Sequence, residues 1–501
     1  MTLARNAAFN LLGAAVPALL SIATLPYIVG RLGAADFGLL MLVTAIVGYF
    51  AMLDISVTAG STKYVAEYNA TGEHEQVYAT VSFSLVIYIC IGAFGMLSLL
   101  VFANPLVSLV FSLPPDGLPT AVLAIQVASV GFLLGQVQAY LQSLPGALMR
   151  YDLSGRVEAA FGTALPLLTV LVLAKGYGLV AVVVLRVALS LVQIFVLCAV
   201  LRRLLPRWRF AWPVKELRRK LLGFSGFAFL SRIAAITYAN ADRLLIGARV
   251  GVVALSHYSV PATVANRVMT LVFRLSGVIF PHTSALAASG RIDELRATYL
   301  TASRYLFFLN GIIALTLAIL SYPILSTWLD SDFARQGNSV MTMIALTLWL
   351  DSLTNAPSLV TDGLGHPKTT GMFAVARALL GLCFIAIGVD QQGIVGAAAG
   401  HLLASMVMSA AFLFWVHGRT VPVTLGSLVR QAYMSPLLAL LPGAAFMLAV
   451  RGLASGWHAL LCVAGVAALI FAIPGWFMVL RAEHRMQIVN SLGLTVNIRW
   501  R

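Results

Sequence analysis

The sequence predicts an all-α polytopic membrane protein of about 14 transmembrane helices: two parallel six-helix repeats followed by two C-terminal helices. Three observations carry this reading. The 501 residues are 60% hydrophobic and only 10% charged, against roughly 25% charged in soluble domains. The apolar runs are long and continuous, which excludes a transmembrane β-barrel, whose strands alternate polar and apolar over about ten residues. Similar segments recur at a register of 218 residues.

The spans follow in order from hydropathy and breakers. The run after Arg5 extends to Val29, longer than a signal-peptide core of about 7–15 residues, so 8–29 reads as a retained first helix. The others of the first set are 38–60, 78–103, 118–143, 157–174 and 178–201. The second set is 221–241, 252–280, 298–322, 338–361, 370–389 and 393–416, and the last pair is 432–450 and 457–480. Each falls within the roughly 17–25 residues, or slightly more, that a helix needs to cross about 30 Å of hydrocarbon, with tilt in the longer ones. The organisation is therefore an N-terminal bundle (1–201), a basic interfacial linker (202–220), a second bundle (221–417), and two further helices with a tail (418–501).

The repeat is carried by specific residues. Arg31-Leu32-Gly33 parallels Arg249-Val250-Gly251, and Gly72–Thr80 parallels Gly290–Thr298. With a shifted register, Leu144-Pro145-Gly146 parallels Ala356-Pro357-Ser358, and Gly178-Leu179-Val180 parallels Gly393-Ile394-Val395. Six spans per unit is an even number, so both units share one orientation, as in several transporter classes.

Net charge is +15. With the N-terminus cytoplasmic, 21 of the 33 Lys and Arg fall inside, 6 outside and 6 within spans. That asymmetry fits the positive-inside rule, not nucleic-acid binding. Both termini are then cytoplasmic. The linker concentrates Arg202, Arg203, Arg207, Arg209, Lys215, Arg218, Arg219 and Lys220 beside Trp208 and Trp212, a composition suited to the headgroup layer and to membrane lipids as partners.

Enzyme signatures are missing. There is no GxxxxGK[ST] loop and no GxSxG elbow, and His74-Glu75 fails as HExxH because Tyr78 holds the second histidine position. Cys90, Cys198, Cys383 and Cys462 stand singly, without metal or disulfide spacing. No cofactor, metal or catalytic residue is expected.

Five arginines lie inside predicted spans: Arg186, Arg232, Arg267, Arg274 and Arg377. A cation at the bilayer centre costs at least about 2.5–3.5 kcal/mol, so it faces a protected or wet interior. Arg267 and Arg274 are seven residues apart and share a helical face with Ser256, Ser259, Thr263, Thr270 and Gly277. The expectation is a cationic stripe for an anion, with Arg232 next and Arg186 and Arg377 open to structural roles. Asn10, Ser21, Thr24 and Arg31 recur at helical spacing in the first span and are candidates for lining a cavity, with Thr263 and Thr270. Asp54, Glu158 and Asp351 are too few to neutralise all five cations. Glu158 and Arg304 lie near helix ends and can snorkel. Gln126, Gln136, Gln138 and Gln142 could line a passage, and His257 and His401 could carry protons.

The order of motifs resembles a known family. Leu25-Pro26-Tyr27, Arg31-Leu32-Gly33, Asp36-Phe37-Gly38, Leu53-Asp54 and Lys63-Tyr64 occur in the first half. Asn240-Ala241-Asp242-Arg243, Asn355-Ala356-Pro357 and Gly363-Leu364-Gly365-His366-Pro367-Lys368 occur in the second. Over essentially the whole chain they resemble the polysaccharide-transporter (lipid-linked oligosaccharide flippase, Wzx-like) branch of the multidrug/oligosaccharidyl-lipid/polysaccharide (MOP) exporters.

The resemblance implies flipping of undecaprenyl-diphosphate-linked oligosaccharide across a bacterial inner membrane by alternating access, for O-antigen, capsule or exopolysaccharide export. It also implies a polysaccharide polymerase and a chain-length regulator as partners. It fixes no site residue, so the arginine candidates rest on energetics. The competing readings are a cation-coupled drug or metabolite exporter, a membrane-embedded polymerase or ligase, and a non-transporting scaffold. The first favours embedded carboxylates, absent from span one, and the second a long external loop, also absent.

Overall fold

The computed structural model describes residues 3–50, 57–110, 117–215, 217–218, 226–275, 286 and 289–491. The long helices are α1 (Leu3–Phe50), α2 (Val57–Thr71), α3 (His74–Val110), α4 (Leu118–Ala147), α5 (Tyr151–Ala174) and α6 (Leu179–Leu204). They continue as α7 (Gly226–Arg249), α8 (Val252–Leu275), α9 (Ile292–Ile319), the short α10 (Ser321–Trp328), α11 (Ser331–Gly363) and α12 (Pro367–Arg419). The chain ends in α13 (Leu425–Leu428), α14 (Met434–Val450), α15 (Gly456–Pro474) and α16 (Ala482–Ser491). The protein is an all-α multi-pass membrane protein. Among the described residues, nine helices are long and apolar enough to cross a membrane. Two of these hold two predicted spans each: α1 breaks at Gly33 (φ 76°) and α12 at Gln392 and Gly393 (φ −137° and 58°). The helices α7, α8 and α11 fall outside that set of nine. Their hydropathy is lowered by the embedded polar residues, Asp242, Arg267 and Asp351 among them.

The helices cluster into two compact units, one of residues 1–260 and 374–400, the other of 261–373 and 401–501. In the first, α3 packs on α4, α1 on α5, and α4 on α6. Its aromatic centre is Tyr140, stacked on Tyr88 at 5.1 Å, with its hydroxyl 2.9 Å from the Ser61 hydroxyl. Such pairing lets a polar ring end sit in an apolar core. Contact between α1 and α8 needs a glycine: a Cβ on Gly38 would lie 1.7 Å from the Val252 carbonyl oxygen.

In the second unit, α9 packs against α11 and α14, and α14 against α15. The π-helical turns Val429–Tyr433 and Gly475–Val479 interrupt the last two spans. Arg304 on α9 answers both: its Nε donates to the Gln431 carbonyl at 2.8 Å and its Nη1 to the Val479 carbonyl at 3.5 Å. Tyr305 adds a 2.7 Å hydrogen bond to His484 and accepts the Arg481 N–H at 3.2 Å. Arg304, which its place near a helix end left free to snorkel, ties the C-terminal pair to the second repeat.

The repeat is visible in backbone detail. Gly72 and Gly290 both close a helix with positive φ (77° and 68°). The next residue reaches back across each turn, Glu73 to Tyr68 at 2.8 Å and Arg291 to Leu286 at 3.0 Å, the Schellman pattern. At the ends of α4 and α11 the same pattern recurs, with Arg150 donating to Pro145 and His366 to Thr361. The left-handed position there is Met149 (φ 59°) in one copy and Gly365 (φ 84°) in the other. Those turns match at a register of 216, one helical turn from the alignment that pairs Pro145 with Pro357.

Candidate functional site

The polar residues of the second repeat are built on α8. Leu255 through Ala262 are all buried, and Pro261 cannot donate to the His257 carbonyl one turn back. Beyond that point the helix opens on one side. Thr263 is half-buried and Asn266 and Arg267 are exposed, while Val264, Ala265 and Met269 stay buried. The spacing i, i+3, i+4 puts the three open residues on one face. Among the described residues Arg267 makes no ion pair. Its guanidinium is exposed, and its forked donors match phosphate or carboxylate oxygens. Sequence reasoning picked Thr263 and Arg267 and missed Asn266, which its i+3 spacing from Thr263 could have flagged.

Ser256 and Ser259, read as part of the same stripe, are fully buried, and their hydroxyls find no partner among the described residues. They belong to the packed half of α8. The backbone of Arg274 lies in α8, and that of Arg232 in α7. The side chains of Arg232, Arg274, Thr270 and Asn10 lie outside the described residues, as does Asp54.

A second polar group joins α7, α8 and α12. Asp242 is 8% exposed and accepts the Tyr258 hydroxyl at 2.6 Å and the Arg243 backbone N–H at 2.7 Å. One turn earlier on α7, Tyr238 lies under the Arg377 guanidinium, 5.3 Å from its ring centroid. Burial of Asp242 is thus compensated in part by a hydroxyl and an amide, and Arg377 is placed by a cation–π contact. Neither tyrosine was anticipated, because α7 and α8 meet only through tertiary packing.

The first repeat holds Arg186 differently. Its Nη1 donates to the Thr44 hydroxyl at 3.0 Å, and its buried Nε has no partner among the described residues. It borders a cavity of about 160 Å3 with Thr44, Val43, Gly131 and Ser190. The first-span candidates are mostly satisfied within their own helix. Ser21 donates to the Pro17 carbonyl and Thr24 to that of Leu20, each at 2.8 Å. Arg31 is exposed, with its guanidinium 5.5 Å from the Tyr27 ring centroid.

Other embedded polar residues knit helices together. Gln138 bonds to Gln193 at 3.0 Å, and Gln142 to the Ser154 carbonyl at 2.8 Å and its hydroxyl at 3.0 Å. These amides link α4 to α6 and α5. Asp351 accepts a hydrogen bond from Ser405. His257 faces the Val253 carbonyl of its own helix at 2.9 Å.

Comparison with known proteins gives this architecture a family. A family model described as polysaccharide biosynthesis protein matches residues 3–287. The chain belongs to that family. Among curated proteins, this family member is 22% identical over 423 residues to a Shigella flexneri protein named “Putative O-antigen transporter”, covering 84% of this chain and 98% of that one. Among solved structures, it shares the fold of a multidrug resistance MATE family transporter of the MOP superfamily in an inward-facing conformation. The TM-score there is 0.71 at 13% identity, covering 83% of this chain and 96% of that one. A MOP superfamily transporter from Pyrococcus furiosus, described by a binding pocket of reverse polarity, superposes with a TM-score of 0.60 at 14% identity. It covers 85% of this chain and 95% of that chain. The polysaccharide-transporter branch of the MOP fold, expected from motif order, is the one these matches indicate.

Proposed function

We propose that this chain is a flippase that moves polyprenyl-diphosphate-linked oligosaccharide from the cytoplasmic to the periplasmic leaflet of a bacterial inner membrane. Family membership and the Shigella relative support a transporter of glycan-assembly intermediates. The observation that carries the substrate class is the open face of α8, where Arg267 stands beside Asn266 and Thr263 without an acidic partner among the described residues. A cationic drug would be repelled there. A diphosphate would be held by the forked donors of Arg267.

In this reading Arg274, seven residues further along α8, extends the site by register, and Arg186 and Arg377 serve chiefly to hold structure. Alternating access would carry the polar head while the polyprenyl tail stays in lipid. An inside-negative potential assists outward movement of the anion by roughly 2.3 kcal/mol per charge per 100 mV. Both termini face the cytoplasm in the orientation that the basic linker favours. A polymerase and a chain-length regulator would act on the delivered glycan.

The test is reconstitution into liposomes with a labelled polyprenyl-diphosphate glycan, following its accessibility from each leaflet. Movement well above that in protein-free liposomes is expected. Movement at the protein-free rate would remove the flippase reading.

A further inference from the structure

The basic segment after α6 folds back onto the first unit. The Trp212 ring meets Phe83 edge-on at 5.4 Å, and the Ala211 N–H donates to the Ser82 hydroxyl at 3.3 Å. Arg209 pairs with Glu75 at 2.7 Å, and Leu217 is 3% exposed. A cavity of about 550 Å3 runs between α3, α4 and α6 at the end of the helices where this segment docks. Leu85, Ile89, Val137, Leu141, Ile194 and Leu201 line it, and Arg202 and Trp208 stand at its rim. Its volume is in the ~300–1,000 Å3 range of small-molecule sites.

The walls and the rim ask for different chemistry. A groove walled chiefly by aliphatic side chains, with Cys198 among them, takes a hydrocarbon chain in a membrane-spanning bundle. The rim carries exposed Arg202, and the segment that follows it in sequence adds exposed Arg203, Arg207 and Lys215. Among the described residues Arg202 makes no ion pair. Trp208 is 41% exposed and Trp212 54%, as tryptophans at headgroup depth are. Choline or ethanolamine would bring a further cation to a cationic rim, whereas a net-anionic headgroup complements it.

We infer that this groove is a binding site for an anionic phospholipid, with one acyl chain between α3, α4 and α6 and the headgroup phosphate at Arg202. Bulk lipid would fill any surface groove; the claim is selectivity by headgroup charge. It stands independently of what the protein transports.

Tryptophan quenching tests it on the full chain in nanodiscs. Phosphatidylglycerol or phosphatidylcholine brominated along an acyl chain is titrated in, and the Trp208 component is isolated by subtracting a Trp208→Phe variant. Phosphatidylglycerol should quench that component at about fivefold lower mole fraction, the share of one interfacial cation. Arg202→Gln should bring the two lipids together. Ile194→Phe, which narrows the groove without touching charge, should weaken quenching by both, with thermal stability followed in parallel. Equal quenching by the two lipids would overturn the proposal, as would undiminished quenching in folded Ile194→Phe. So would displacement of brominated phosphatidylglycerol by polyprenyl phosphate at lower mole fraction than by unlabelled phosphatidylglycerol, which would assign the groove to the carrier lipid.

Discussion

The second span, in the latter part of α1, and the first half of α8 are one element built twice. Each follows a glycine of positive φ, Gly33 at 76° and Gly251 at 107°, and each starts with a buried stretch. They part company where Gly48 and Tyr49 in the first copy become Asn266 and Arg267 in the second. Tyr49 is half-buried, and Gly48 lies against Asn240, with room for a Cβ only 3.1 Å from its side-chain oxygen. Asn266 and Arg267 are open. The helix is thus a packing surface in the first copy and a charged face in the second. The cation of the first repeat, Arg186, bonds instead to Thr44 on that packing helix.

The contrast can be broken most sharply by making the copies alike. Arg267→Tyr should slow glycan movement by roughly 10- to 100-fold, the equivalent of about 1.5–3 kcal/mol of charge-assisted hydrogen bonding. Because Arg267 is exposed, the melting temperature should stay nearly constant. Arg186→Met in the same liposome assay should leave transport within about twofold, with stability unchanged or raised, since replacing a buried charge by an apolar side chain is often neutral or stabilising. Lost transport in folded Arg186→Met would place that residue in the transport site.

Stability measurements sharpen the comparison further. Gly38→Val should destabilise the first unit by about 1–3 kcal/mol or more through overpacking, read as a lowered melting temperature in detergent. Arg304→Ala should cost about 1.5–3 kcal/mol in the second unit and expose the chain around 420–433 to limited proteolysis. The smallest effect expected is at Ser256, the counterpart of Gly38 by register. Its buried hydroxyl has no partner among the described residues, so Ser256→Ala should be neutral or stabilising by up to about 1 kcal/mol. A loss above that would mean the hydroxyl is bonded.

Much of the fold was legible because it is written in hydropathy. Apolar runs mark the spans, and Gly72 and Gly290 mark turns whose left-handed geometry excludes most other residues at little cost. The later turns were harder: Met149 occupies the place of Gly365, so composition hid the match, and the prolines suggested a register one helical turn away. The site was legible only as spacing. Thr263 and Arg267 could be placed on one face from their numbers, but which face opens depends on neighbours packed from elsewhere. For the same reason Tyr258 was invisible as a partner of Asp242. Gln138 and Gln142, read as lining a passage, bond to Gln193 and Ser154 on adjacent helices, because amides partly shielded from water take the nearest available partner.

The central claim is that a cationic face on the second repeat recognises the diphosphate of a lipid-linked glycan. The most direct measurement compares two substrates in the same proteoliposomes: a polyprenyl-diphosphate glycan, and the same glycan joined to polyprenol through a neutral linkage. The diphosphate-linked lipid should change leaflets far faster than in protein-free liposomes, and the neutral one should not. Equal movement of the two, or of neither above the protein-free rate, would contradict it.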